Sequence, residues 1–223
     1  MNKNKFLNSV TSKSEAFAIS DLFNSSDKSI FYIAKDDREI FEVKEKLDWI
    51  LPEIETYIYR SWDQIPYDNV SPSKDIQSER IKTLYNCIYN KKKKIVLSSV
   101  NSLIQKTINI DFIKKNIIEI SLNQKINFND LAIKLSNLGY EKTSIVRDKS
   151  EFAIRGSIID IFVSNHNKPL RLDFFGENVE TIHYFDQISQ KRLKKFNYSK
   201  ILINPSSELI LNEKTIELFR KKF

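Results

Sequence analysis

Glu151-Phe152-Ala153-Ile154-Arg155-Gly156-Ser157-Ile158-Ile159-Asp160-Ile161-Phe162, followed by Pro169-Leu170-Arg171-Leu172-Asp173-Phe174-Phe175-Gly176, is the stretch on which the fold turns. Side chains alternate across a strand, so Leu172 and Phe174 share one face while Arg171, Asp173 and Phe175 share the other. Phe152 and Ile154 enter the same core, Arg155 points away from it, and Gly156 permits a bend. The extended segments Thr143–Arg147, Glu151–Val163, Leu170–Phe175 and Val179–Asp186 are separated by short polar or glycine-containing turns, the pattern of antiparallel neighbours. Before them, Ile117–Leu122 reads as extended and Asn129–Leu138 as a helix with Leu131, Ile133, Leu135 and Leu138 apolar, ended by Gly139. A compact α+β domain is expected here.

Upstream the period changes. Ala16, Ile19, Leu22 and Phe23 fall at helical spacing within Ser14–Asn24, Ser29–Ala34 reads as a buried strand, and Ile40, Val43, Leu47 and Ile50 stripe a helix over Asp36–Ile50. Glu55–Trp62 alternates as a strand does, Ser78–Asn90 is helical, and Lys94–Val100 is a further apolar strand. Strand, helix, strand, helix, strand implies a parallel sheet with right-handed crossovers. The expected architecture is an α/β parallel-sheet domain over residues 1–119 with an α+β antiparallel-sheet domain inserted at 120–198. Residues 199–223 return to the first domain through Lys200–Ile203 and a last helix, Asn212–Phe223, where the chain ends as if cut from a longer polypeptide.

The 223 residues are 41% hydrophobic and 29% charged, which describes a folded globular chain rather than a disordered one. A single cysteine, Cys87, excludes an internal disulfide and is expected as a small core residue. Met1–Val10 lacks the apolar run of a signal peptide, and no window approaches the roughly 18 apolar residues of a membrane span. A cytoplasmic protein with no membrane partner is expected. The net charge of +7 is spread thin, and its one run, Lys91–Lys94, reads as a solvated turn before a strand rather than a phosphate tracker. Only Gly139, Gly156 and Gly176 are glycines, so no loop can converge backbone N–H groups on a phosphate in the first half. Ser9–Ser14, with Lys13 and Ser14 but no glycine, is therefore not expected to bind ATP. His166 and His183 sit in no nucleophile or metal spacing.

One constellation carries function. Arg155, Arg171 and Phe175 are all placed on the outer face of the antiparallel sheet. Arginine forks and large aromatic rings are enriched at the hot spots of protein interfaces. From the pattern alone, a docking patch stands level with an internal pairing of Arg171 and Asp173 beneath a covered Phe175.

The quoted strands, together with Ser61-Trp62-Asp63-Gln64-Ile65-Pro66-Tyr67-Asp68, Ser71-Pro72, Glu79-Arg80-Ile81, Val100-Asn101-Ser102-Leu103 and Ile216-Glu217-Leu218-Phe219-Arg220, occur in the order seen in bacterial transcription-repair coupling factors (Mfd). The chain resembles the amino-terminal module of that family over essentially its whole length. The resemblance implies a P-loop-like first domain, similar to UvrB but with the nucleotide loop lost, and an inserted domain that docks UvrA. It carries the family's partner-binding residues onto Arg155, Arg171 and Phe175. It implies no cofactor and no catalysis for this chain, with ATP, RNA polymerase and double-stranded DNA engaged by other domains of the parent. A fragment of UvrB itself, an ATP-dependent helicase subunit, is the alternative; it should carry a phosphate loop and an aromatic hairpin after Trp62, where Ile65–Arg80 offers only Tyr67. Direct DNA binding rests on diffuse basicity alone.

Overall fold

The computed structural model describes residues 13–64, 71–193, 198–208, 210 and 213–222. Tyr67, and Ser9–Ser14 apart from Lys13 and Ser14, lie outside these. Two compact units are present, one built from residues 1–62 and 90–106, the other from 63–89 and 107–223.

In the first unit β1 (Ile30–Ala34), α2 (Asp37–Ile50) and β2 (Thr56–Tyr59) follow helix α1 (Glu15–Asn24). The chain then runs through α3 (Lys74–Tyr89), which belongs to the second unit, before returning as β3 (Ile95–Ser99) and the short α4 (Val100–Ile104). The strands form a parallel sheet in the order β1-β3-β2, with all five residues of the central β3 buried. Asp36 caps α2 by accepting the Glu39 N–H at 2.9 Å. That helix then lays Ile40, Val43 and Leu47 against Ala34, Ile58, Ile95 and Leu97, with Ala16, Ile19 and Phe23 of α1 in the same core.

The second unit adds α5 (Ile110–Lys115), β4 (Ile118–Ser121) and α6 (Phe128–Asn137) to α3, followed by β5 (Glu141–Lys142), β6 (Glu151–Arg155) and β7 (Ile158–Ile161). After these come β8 (Leu170–Phe175), β9 (Asn178–Tyr184), β10 (Lys200–Ile203) and α7 (Glu213–Lys222). The sheet β5-β6-β7-β8-β9 is antiparallel except between β5 and β6, and β10 pairs with β4 separately. One sheet face presents Phe152, Ile159, Ile161, Leu170, Leu172, Phe174, Val179 and Ile182 to Leu131, Leu135 and Leu138. The protein is thus a mixed α/β molecule with a parallel three-stranded sheet, an antiparallel pair and a predominantly antiparallel five-stranded sheet among the described residues.

Gly139 ends α6 at φ +85°, where a Cβ would stand 2.6 Å from the Ser206 hydroxyl oxygen. That close approach seats the segment Asn204–Glu208, every residue of which is buried. Tyr140 donates its hydroxyl to the Asn204 carbonyl at 2.8 Å, and the Asn204 amide donates to Ser164 Oγ at 2.6 Å. Glu208 closes the segment. Arg80 of α3, fully buried, donates from Nε to Glu208 Oε1 at 2.5 Å, while the Ile108 N–H donates to Oε2 at 3.3 Å.

Several boundaries depart from the sequence reading. Glu151–Val163 is two strands rather than one, because Gly156 at φ +59° turns the chain between β6 and β7. Thr143–Arg147 is not a strand: β5 occupies Glu141–Lys142, and the Glu151 carboxylate accepts the Arg147 and Asp148 N–H groups at 2.9 and 3.0 Å, folding the segment into a loop. Helix α3 begins at Lys74, four residues before the expected Ser78, with Ser73 Oγ accepting the Ile76 N–H at 3.3 Å. Cys87 is exposed rather than in a core. The lysine run is only partly solvated: Lys94 is buried and donates to the Asn90 carbonyl at 2.5 Å, and Lys93 lies 3.8 Å from the Phe23 ring centroid.

Removing one partner of a buried ion pair strands the other charge, so Glu208→Gln should lower unfolding free energy by about 3–5 kcal/mol. A denaturant-midpoint measurement on Glu208→Gln and Arg80→Met checks this, and the double variant should recover part of the loss.

Candidate partner-binding surface

The sheet face opposite α6 is built from the residues that alternate away from the core. Register aligns Ala153 of β6, Asp160 of β7, Arg171 of β8 and His183 of β9 in one row across four strands. Val146, Ala153, Phe162 and Phe185 make a small buried cluster on this side. Beside that cluster the Asp160 carboxylate has no solvent exposure at all.

Two guanidinium groups converge on it. Arg171 donates from Nε to Oδ1 at 2.7 Å and from Nη2 to Oδ2 at 2.9 Å, the two-pronged geometry that suits a carboxylate. Arg155 donates from Nη2 to the same Oδ2 at 2.5 Å. The carboxylate hydrogen bonds hold the Arg171 guanidinium above its ordinary pKa, and its carbon Cζ lies 4.5 Å over the Phe185 ring. One carboxylate against two guanidinium groups leaves a unit of positive charge uncompensated within the trio. Since the Arg171 side chain is 15% exposed and that of Arg155 is 40% exposed, the surplus is presented at Arg155.

Gln190 completes the cluster from the turn after β9. Its Oε1 accepts from Arg155 Nη2 at 3.2 Å and from Arg171 Nη2 at 3.4 Å, and its backbone carbonyl accepts from Arg171 Nη1 at 3.3 Å. Asp173, two residues along β8, is not the hydrogen-bond partner of Arg171: Thr181 donates its hydroxyl to Asp173, and His183 Nδ1 stands 3.6 Å away. Burial and then the nearby Arg192 charge hold His183 below its usual pKa, so the imidazole is neutral at neutral pH.

Phe175 lies at the far end of β8, directly before Gly176 and opposite Asn178, and is 77% exposed. A register shift between Asp173 and Phe174 twists this end of the strand. Phe175 sits about 13 Å from Arg171 along β8, four residues of strand rise. The three residues picked out in the sequence therefore share a face, but as an elongated strip with charge at one end and a bare ring at the other. Asp160 and Gln190 are the members that sequence reasoning missed. Asp160 carried one usable signal, a carboxylate between the isoleucines of a buried strand and just before Phe162, which implies a second covered face; Gln190 carried none.

His166 lies elsewhere, in the loop before β8. Its Nδ1 is 2.5 Å from the Tyr184 hydroxyl, and burial, reinforced by the Lys149 charge, pushes its pKa down to about 4. Among the described residues no group of three or more His, Cys, Asp or Glu side chains could hold a metal ion. No helix among them is long and apolar enough to cross a membrane.

Residues 118–209, which hold the whole strip and its supporting turn, match the family model of the UvrB interaction domain. The match covers 92 of the chain's 223 residues. The chain as a whole is similar to transcription-repair-coupling factors: 28% identity over 222 residues with that of Haemophilus influenzae, covering 100% of this chain and 19% of the relative. The Borreliella burgdorferi factor is 33% identical over 194 residues, 86% of this chain and 17% of the relative. For Escherichia coli the figures are 30% over 162 residues, 73% and 14%. The chain thus corresponds to a module spanning less than a fifth of the length of these relatives.

Arg171→Ala should cost about 3 kcal/mol or more, because it strips the principal counter-charge from buried Asp160, whereas Arg155→Ala, near the surface, should cost about 1 kcal/mol or less; chemical denaturation of both variants checks this. His166 contributes a pH dependence. Its folded pKa lies below the unfolded value, so stability is complete above about pH 6.5 and falls as pH drops towards 4, by roughly 2–3 kcal/mol. The slope between these limits should flatten in His166→Gln.

Proposed function

We propose that this chain is the UvrB-like amino-terminal module of a transcription-repair coupling factor and that it binds UvrA through the Arg155, Arg171 and Phe175 strip. It would thereby recruit nucleotide excision repair to RNA polymerase stalled at a lesion. The observation that carries this reading is the pairing of an uncompensated guanidinium with a bare phenyl ring on one sheet face, inside the segment that matches the UvrB interaction domain. An acidic side chain of the partner would take the Arg155 charge, and an apolar pocket would receive Phe175. Arg171 contributes from beneath, holding the carboxylate on which Arg155 rests.

The module makes and breaks no covalent bond and uses no cofactor. Its first unit is a P-loop-like domain whose nucleotide loop has been lost, and ATP-driven translocation, RNA polymerase contact and double-stranded DNA contact belong to the rest of a cytoplasmic parent protein. Two observations weigh against the other readings. The relatives compared above are coupling factors. In the run Lys91–Lys94, Lys93 and Lys94 are turned to carbonyls of the fold, which leaves little of the run to track a DNA backbone.

Calorimetric titration with UvrA tests the proposal. Phe175→Ala should weaken binding by about 2 kcal/mol, roughly 30-fold, and Arg155→Ala by a similar amount that shrinks at high salt. Folded variants that held UvrA as tightly as the parent would overturn the assignment. Thermal stabilisation of this chain by ATP would revive the helicase-subunit reading.

A further inference from the structure

We propose that Gln190 is a positioning residue for the docking surface: it fixes the two arginines in the orientation that a partner carboxylate meets. The inference rests on the reading of this face as the UvrA site.

Gln190 sits at φ +58°, within two degrees of the values at Gly156 and Gly176. An amino acid with a Cβ is strained there and glycine is not. The turn does not need a glutamine to close. Asp186 accepts the Ile188 and Ser189 N–H groups at 3.2 and 2.8 Å, its carbonyl accepts the Gln190 N–H at 2.8 Å, and its own N–H donates to the Lys191 carbonyl at 2.9 Å. All of these bonds would survive with glycine at 190. What the glutamine adds is its amide. The oxygen accepts from both arginines, and the nitrogen is anchored to the Gln187 carbonyl at 2.9 Å and the Val146 carbonyl at 3.4 Å. The side chain is thus held at one end by backbone and grips both guanidinium groups at the other. It does so with a neutral acceptor, so the surplus positive charge is oriented without being cancelled, which a carboxylate at this position would not achieve.

The test uses the chain as it stands, with UvrA in the calorimeter, and compares Gln190→Gly, Arg155→Ala, Phe175→Ala and the Gln190→Gly/Arg155→Ala double variant. Gln190→Gly relieves backbone strain while giving up the amide's hydrogen bonds, two opposing effects that should leave its melting temperature close to that of the parent. Its affinity for UvrA should nonetheless fall by about tenfold, the scale of hydrogen bonds to a charged group. In the Arg155→Ala background the same change should cost distinctly less, because one of the two groups it positions is gone. If Arg155→Ala and Phe175→Ala weaken binding while Gln190→Gly binds as the parent does, the arginines orient themselves and this inference falls while the docking assignment stands. A lowered melting temperature in Gln190→Gly, with full additivity in the double variant, would make Gln190 a structural residue only and overturn the inference. If Arg155→Ala and Phe175→Ala both bind as the parent does, the docking assignment itself falls.

Discussion

A carboxylate cut off from water must be matched by charge where it lies, because removing an ion from solvent costs several kcal/mol even after the protein relaxes around it. Asp160 imposes that demand on the second unit, and Arg171 meets it from the next strand. The pairing ties β7 to β8 in one register, since a slip of a single residue would turn Arg171 into the apolar core and Leu172 out of it. The same register lays Leu170, Leu172 and Phe174 against Leu131 and Leu135 of α6. Core packing on one face and charge pairing on the other are therefore satisfied together or lost together.

This constraint divides labour along the outer face. Arg171 is mostly committed to the interior, where its guanidinium is spent on Asp160 and stacked on Phe185. Arg155 adds a second guanidinium to a carboxylate that is already neutralised, and Phe175 extends beyond the cluster altogether. A buried pair that supports an exposed, electrostatically unsatisfied group is a means of presenting charge on a rigid sheet rather than on a loop, with little orientational freedom left to lose on binding.

The sequence was readable wherever periodicity was clean. The alternation of Leu170–Phe175 located β8 to the residue, and the stripe of Ile40, Val43 and Leu47 located the buried face of α2. It failed where side chains, not periodicity, decide the backbone. Thr143–Arg147 has strand-like composition, yet the Glu151 carboxylate captures its N–H groups. The short helices α4 and α5 are set by caps from Ser99 and Asn109 and are too brief to show a helical repeat. On the outer face the alternation placed Arg155, Arg171 and Phe175 on one side, but the long-range partners lay beyond its reach. Asp160 is 11 residues from Arg171 and Gln190 is 19, and no local pattern connects them.

The buried Arg80–Glu208 pair spans 128 positions of sequence. It couples α3, which precedes the UvrB interaction segment, to the final residues of that segment, so the ties that hold this region reach outside the stretch 118–209. Excised at its family boundaries, the interaction segment would leave the Glu208 carboxylate without the Arg80 guanidinium that donates to it here. A piece of the protein that keeps this pair intact therefore reaches back to α3.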